Sequence, residues 1–212
     1  MRFAAFASMA YLCVATTTFR DDDDFTPLFE GKSTSGWETV EGKDGNWTVE
    51  NGLLVTKGEG GGWLSTAKTY DNFVLKLEFL LQEGGNSGVF IRSPRSGDPA
   101  YTGMEIQVLD DDSPRYKDLK AFQYCGSIYG VSPAKRGSVK PAGQWNAMEI
   151  TANGSKITVK INGNIVVDGV DLNDHASDEE KHPGIKRSEG YIGLQSHSEP
   201  VKFRNIAIKV LK

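Results

Sequence analysis

The chain has 212 residues, enough for one domain with a sizeable core, and 38% of them are hydrophobic. Its 24 basic and 28 acidic side chains are mixed along the chain and give a formal net charge of -4, with no basic cluster, which excludes nucleic acid as a partner. Glycine is abundant at 24 residues and turn dipeptides recur, the composition of an all-β protein with short loops.

Residues 1–20 read as a signal peptide: Arg2, an apolar run from Phe3 to Ala15, then small polar residues. The run is too short for a transmembrane span, so it predicts a secreted or periplasmic protein. A lipid anchor on Cys13 is disfavoured, because Leu12 stands where a small residue is usual. Residues 21–25 form an acidic spacer, and residues 26–212 one domain without linker or internal repeat. With the leader removed, Cys125 is the sole cysteine; its apolar aromatic setting, AFQYCGSIYG, predicts a buried inert thiol.

From Phe25 onward the pattern has a period of two. NWTVENGLLVTKG alternates about an Asn51-Gly52 turn. In NFVLKLEFLLQ, Phe73, Leu75, Leu77 and Phe79 share one face, and Val74, Lys76, Glu78 and Leu80 the other. MEITANGSKITVKINGNIVVDG holds two hairpin signals, Asn153-Gly154 and Asn162-Gly163, and predicts a three-stranded meander. DLNDHASDEEKH suits one short helix, and nothing supports a long one. Strands at roughly ten-residue spacing indicate a sandwich or barrel.

Three segments share a further design. NSGVFIRS puts Val89 and Ile91 on one face and Gly88, Phe90 and Arg92 on the other; GMEIQVLD opposes Met104, Ile106 and Val108 to Gly103, Glu105 and Gln107; GYIGLQSH opposes Ile192 and Leu194 to Gly193, Gln195 and His197. Solvated strand faces favour Thr, Lys and Ser, whereas these carry guanidinium, carboxylate, amide and imidazole groups among glycines that leave room for a ligand. Such groups match the hydroxyls of a sugar. Phe90, Tyr101 and Tyr129 are candidate stacking residues, and Gln107 and Gln195 candidate binding residues. The plainer reading is a wet outer face with Arg92 and Glu105 as a structural ion pair.

At these residues the sequence resembles a known family. PLFEGKSTSGWE, WTVENGLLV, GGWLSTAKTYDNFVLKLEF, GGNSGVFIRS, GMEIQVLD, GSIYG, AGQWNAMEI, INGNIVVD and GYIGLQSHSEPVKFRNIAIK occur in the order seen in the DUF1080 family, the 3-keto-disaccharide hydrolase domain. The resemblance implies a concanavalin-like jelly-roll β-sandwich of two curved antiparallel sheets. It also implies bacterial export, a 3-keto-glycoside or other oligosaccharide substrate, and a separate sugar 3-oxidoreductase to supply it.

An ordinary glycosidase needs two carboxyl groups roughly 5–10 Å apart. EIQ supplies Glu105 but places Gln107 where the second acid should stand, and Asp110 has the opposite parity. A 3-keto sugar relaxes the requirement, since its ketone acidifies the C2 hydrogen and elimination then expels the C1 substituent. One base, one group for the enolate oxygen and one proton donor suffice. His197 or Glu105 fits the base, Arg92 the oxyanion, and Asp110 or Tyr101 the donor. No cofactor is required, although Glu105, His197 and Asp110 also form a conceivable divalent-metal set. A lectin-like module that binds glycans without turnover is the alternative function.

Overall fold

The computed structural model describes residues 24–59 and 61–212. The signal peptide and most of the acidic spacer lie outside them. In chain order the strands are β1 (Thr26–Pro27), β2 (Trp37–Val40), β3 (Trp47–Glu50), β4 (Leu53–Thr56), β5 (Trp63–Tyr70), β6 (Phe73–Leu81) and β7 (Asn86–Ser93). A single helical turn, α1 (Pro99–Thr102), precedes β8 (Met104–Leu109). After a long covering segment come β9 (Asn146–Asn153), β10 (Lys156–Ile161), β11 (Asn164–Asp171), β12 (Gly190–Gln195) and β13 (Val201–Val210).

They form a jelly-roll sandwich of two antiparallel sheets. One runs β11-β10-β9-β6-β13-β4-β3, with β1 added on β13; the other runs β2-β5-β12-β7-β8. The core lies between them. Phe73, Leu75, Leu77 and Phe79 of β6 face Val89 and Ile91 of β7, Met104, Ile106 and Val108 of β8, and Ile192 and Leu194 of β12 in one buried cluster. The meander forms over β9-β10-β11, and Asn162-Gly163 turns it with both residues at positive φ, as a two-residue hairpin loop of this hand requires. The short helix suggested near residue 172 is a 3₁₀ segment, Leu172–Asp178.

Strand β13 carries a bulge at Arg204 and Asn205. Its register with β6 shifts between Arg204 and Ala207, Asn205 adopts φ 53°, and Ile206 turns inward. Arg204 is then structural: it donates to Glu78 at 2.6 Å and lies over the Trp145 ring. Cys125 is buried, and burial raises its thiol pKa. No helix among the described residues is long and apolar enough to cross a membrane.

Candidate active site

The outer face of the five-stranded sheet carries the candidate site. Backbone register sets its rows: Gly193 of β12, Phe90 of β7 and Glu105 of β8 stand side by side, with Gln195 opposite Trp63 and Gly88 opposite Gln107 in the flanking rows. The loop after β8 continues the sheet. Tyr129 N donates to Glu105 O at 2.9 Å, and Gly126 N to Gln107 O at 2.8 Å, so Tyr129 is brought beside Glu105. Helix α1 stands at the other rim, capped by Asp98 Oδ1, which accepts from Ala100 N at 3.0 Å.

Together these enclose a hollow of about 280 Å³, lined among others by Glu105, Gln107, Gln195, His197, Tyr101 and Tyr129. Six of the residues expected at the site therefore converge. Phe90 faces an adjoining hollow instead, edge-on to Trp63 with ring centroids 5.6 Å apart. Asp98, Asn86 and Gln123 also line the central hollow and escaped the parity argument. Asp98 sits in the turn SGDPAY, where Asp before Pro marks a helix start but not what that helix overhangs.

Glu105 is 3% exposed, and none of the described residues gives its carboxylate a hydrogen bond. Burial, reinforced by the nearby charge of Asp98, pushes its pKa up to about 8. Gln107 Nε2 donates to Asn86 Oδ1 at 3.3 Å, which orients both amides. His197 is exposed at the end of β12, its Nδ1 3.0 Å from Ser198 Oγ. Its neighbour Ser196 is buried and ties the segment down through Asn46 Nδ2 and Thr56 Oγ1, both at 2.7 Å.

Two expected members are elsewhere. Between the pairs Phe90–Gly193 and Ser93–Tyr191, β7 carries two residues where β12 carries one, and Arg92 takes φ 52° in that bulge. The alternation breaks there, and the Arg92 side chain leaves the wall. Its guanidinium donates to Asp71 O at 3.1 and 2.9 Å, to Asn72 Oδ1 at 3.4 Å and to Arg187 O at 3.4 Å. It neither faces an oxyanion nor pairs with Glu105. Asp110 lies past the end of β8, where its Oδ2 accepts from Gly84 N at 2.8 Å and holds the β6–β7 turn. The Glu105–His197–Asp110 metal set is thus not assembled, and no group of three His, Cys, Asp or Glu suited to a metal occurs among the described residues.

The glycines also differ from expectation. A Cβ on Gly88 would lie 1.9 Å from Glu105 Oε1, and one on Gly193 2.1 Å from Trp63 Cε3. The space they leave is filled by the protein's own side chains. His182 is buried, at 2% exposed.

Residues 24–209 match the 3-keto-α-glucoside-1,2-lyase-like domain family. A 3-keto-disaccharide hydrolase from Bacteroides thetaiotaomicron is 31% identical, the match covering 90% of this chain and 80% of that protein. A solved structure from Parabacteroides distasonis, provisionally named a glycosyl hydrolase, superposes with a TM-score of 0.78 at 29% identity over 89% of this chain and 94% of that one. A carbohydrate-binding module from Bacillus subtilis shares the fold alone, at 17% identity and a TM-score of 0.54, over 82% of this chain and 95% of that one.

Proposed function

We propose that this chain, which belongs to the 3-keto-α-glucoside-1,2-lyase-like domain family, cleaves the glycosidic bond of sugars already oxidised to the ketone at C3. His197 removes the acidified C2 proton. The electron pair enters the ketone as an enolate, then returns to form the C1–C2 double bond as the C1–O bond breaks. The departing oxygen takes up a proton, leaving an enone and a free alcohol; addition of water at C1 completes a net hydrolysis. Glu105, in its protonated form, donates a hydrogen bond to the ketone oxygen as negative charge develops there, the part that Arg92 is too distant to play. Tyr101, exposed at the edge of the hollow, donates to the departing oxygen; partial desolvation of its hydroxyl and the neighbouring Tyr129 and Asp98 raise its pKa. Gln107, Gln195 and Asn86 orient hydroxyls.

One observation carries this reading: a buried carboxyl without protein donors, with a pKa of about 8, lining a hollow of about 280 Å³. Such a group holds its proton at neutral pH and acts as a hydrogen-bond donor to an oxyanion. The substrate's ketone requires an upstream oxidation by a sugar 3-oxidoreductase. The apolar run of residues 3–15 supports export.

The test is kcat/KM against pH on a 3-keto-glucoside, followed by enone absorbance and released alcohol. Activity is expected to fall above an apparent pKa near 8. The Glu105→Gln variant, whose amide still donates, loses that alkaline limb yet retains turnover, and His197→Ala falls by about 10²–10⁴-fold. Activity that rises to a plateau above pH 8 and vanishes in Glu105→Gln makes Glu105 the base. Sugar binding without turnover, unaffected by either substitution, overturns the reading in favour of a lectin-like module.

A further inference from the structure

Asp98 lines both the central hollow and the adjoining one, a position it shares with Gln195 and His197. The chemistry above gives it no part. Its carboxylate is half committed: Oδ1 accepts from Ala100 N at 3.0 Å and caps α1, while Oδ2 has no hydrogen-bond partner among the described residues. The backbone beneath is held as well, since Asp98 O accepts from Tyr101 N at 3.0 Å and from Thr102 N and Oγ1, each at 2.8 Å. The residue is exposed, so a fixed carboxylate with one oxygen to spare is open to a guest.

Two carboxyl groups line the central hollow, and no Lys or Arg does. Glu105 keeps its proton up to about pH 8 and so donates. Asp98 is the complementary group, an acceptor that no cation of the lining occupies. Its negative charge reaches two residues with assigned parts. After burial it is what raises the Glu105 pKa, and after desolvation and Tyr129 it raises that of Tyr101. Asp98 is therefore near both the donor to the C3 ketone oxygen and the donor to the departing C1 oxygen. In the sugar ring the carbon between C1 and C3 is C2, and its hydroxyl is a hydrogen-bond donor. His197, which takes the C2 proton, lines the same two hollows.

We propose that Asp98 is a substrate-positioning residue that accepts the hydrogen bond of the C2 hydroxyl through Oδ2, and so makes a free hydroxyl at C2 a requirement of this site. The inference rests on the elimination reading, which places Glu105 at the C3 oxygen and Tyr101 at the C1 oxygen. No proton is transferred at Asp98. The bond turns C2 so that its hydrogen faces His197, and a sugar without that hydroxyl has no donor to offer.

The experiment measures kcat/KM on methyl 3-keto-β-glucoside and its 2-deoxy counterpart for the wild type, Asp98→Ser and Asp98→Asn. Both replacements keep a capping oxygen for Ala100 N. Serine has no second polar atom, and asparagine presents an amide N–H in place of Oδ2. Comparing each variant with wild type on the same substrate cancels the effect of the hydroxyl on C2 acidity and any change in Glu105 protonation. Both variants are expected to lose about 10–100-fold on the 2-hydroxy substrate, the scale of one hydrogen bond to a charged group, and little on the 2-deoxy one. If the wild type does not turn over the 2-deoxy ketone, its inhibition constant replaces kcat/KM on both sides of the comparison. Equal losses on both substrates, or none on either, overturn the assignment while leaving the reaction intact. If the wild type turns over neither substrate, the reaction reading fails on its own. The contact is then judged by calorimetric titration of methyl β-glucoside against methyl 2-deoxy-β-glucoside. A preference for the 2-hydroxy sugar that Asp98→Ser abolishes supports it, and equal affinities or no binding of either overturn it.

Discussion

Gly88 and Glu105 are matched residues: a methyl group at position 88 would occupy the place of the Glu105 carboxylate, contacting Cδ at 2.7 Å and Cγ at 2.8 Å as well as Oε1. A Gly88→Ala substitution should therefore displace the carboxyl rather than the strand. Its expected signature is a loss of about 10²-fold in kcat/KM with only a small fall in thermal midpoint. A variant that keeps full activity would show that Glu105 need not sit where it does. The raised pKa of Glu105 also has a thermodynamic consequence with a definite sign. Between pH 4.5 and about 8 the unfolded chain has released this proton while the folded one retains it. Folding then takes up a proton, and this group's contribution to stability falls with rising pH, by at most about 1.4 kcal/mol per pH unit, and is level above 8. Urea midpoints measured across that range should fall less steeply in Glu105→Gln than in the wild type; identical slopes would contradict the raised pKa. At this scale the sequence was legible where a strand ran unbroken. Glu105, Gln107 and Gln195 were found because period-two alternation holds along β8 and β12. Arg92 was misplaced because one inserted residue reverses the alternation, and nothing in NSGVFIRS announces an arginine at positive φ.

Between the residue and the fold stands the β7 bulge, whose neighbour strand, loop and guanidinium form one unit. Arg92 satisfies carbonyls of Asp71 and Arg187, and Arg187 Nε returns a bond to Arg92 O at 2.9 Å, locking the approach to β12 against the end of β7. Arg92→Ala removes those bonds together with a side chain that is itself buried and should cost about 1–3 kcal/mol by chemical denaturation. Its effect on kcat/KM per folded molecule should be far smaller than that of Glu105 or His197 variants. Lost turnover at unchanged stability would instead return Arg92 to the chemistry. A similar logic applies to the segment after β12. Ser196 is the buried peg between Gln195 and His197, and Ser196→Ala removes its links to Asn46 and Thr56. The expected result is a destabilisation of about 1–3 kcal/mol together with a raised KM, as Gln195 and His197 lose their anchor. None of this was readable beforehand, because Asn46, Thr56 and Ser196 are 10 to 150 residues apart and meet only when both sheets are in place.

The sandwich as a whole was the most legible level. Alternation, the Asn-Gly turns and the absence of any long amphipathic stretch each indicate paired sheets, and the order of nine short blocks names the family that the comparison of residues 24–209 returns. What alternation does not convey is which irregular segments fold back over a strand face; hence Asp98, Gln123 and the buried His182 went unforeseen. At the N-terminus, the apolar run carries its own prediction. Protein recovered from the periplasm or medium should have an intact mass that lacks roughly the first 15–20 residues, and a full-length mass in that fraction would count against export. The site itself is assembled from two kinds of chain. Glu105, Gln107 and Gln195 stand on paired strands, while Tyr101 lies on α1, His197 follows β12, and Gln123 and Tyr129 belong to the covering between β8 and β9. The buried carboxyl and the two amides are thus fixed by ladder bonds, whereas the exposed positions of the covering can change composition without disturbing that register. Related chains can consequently diverge in the glycosides they accept at the exposed positions of that covering, and exchanging these positions with a relative's should alter substrate preference while the pH profile stays that of the host.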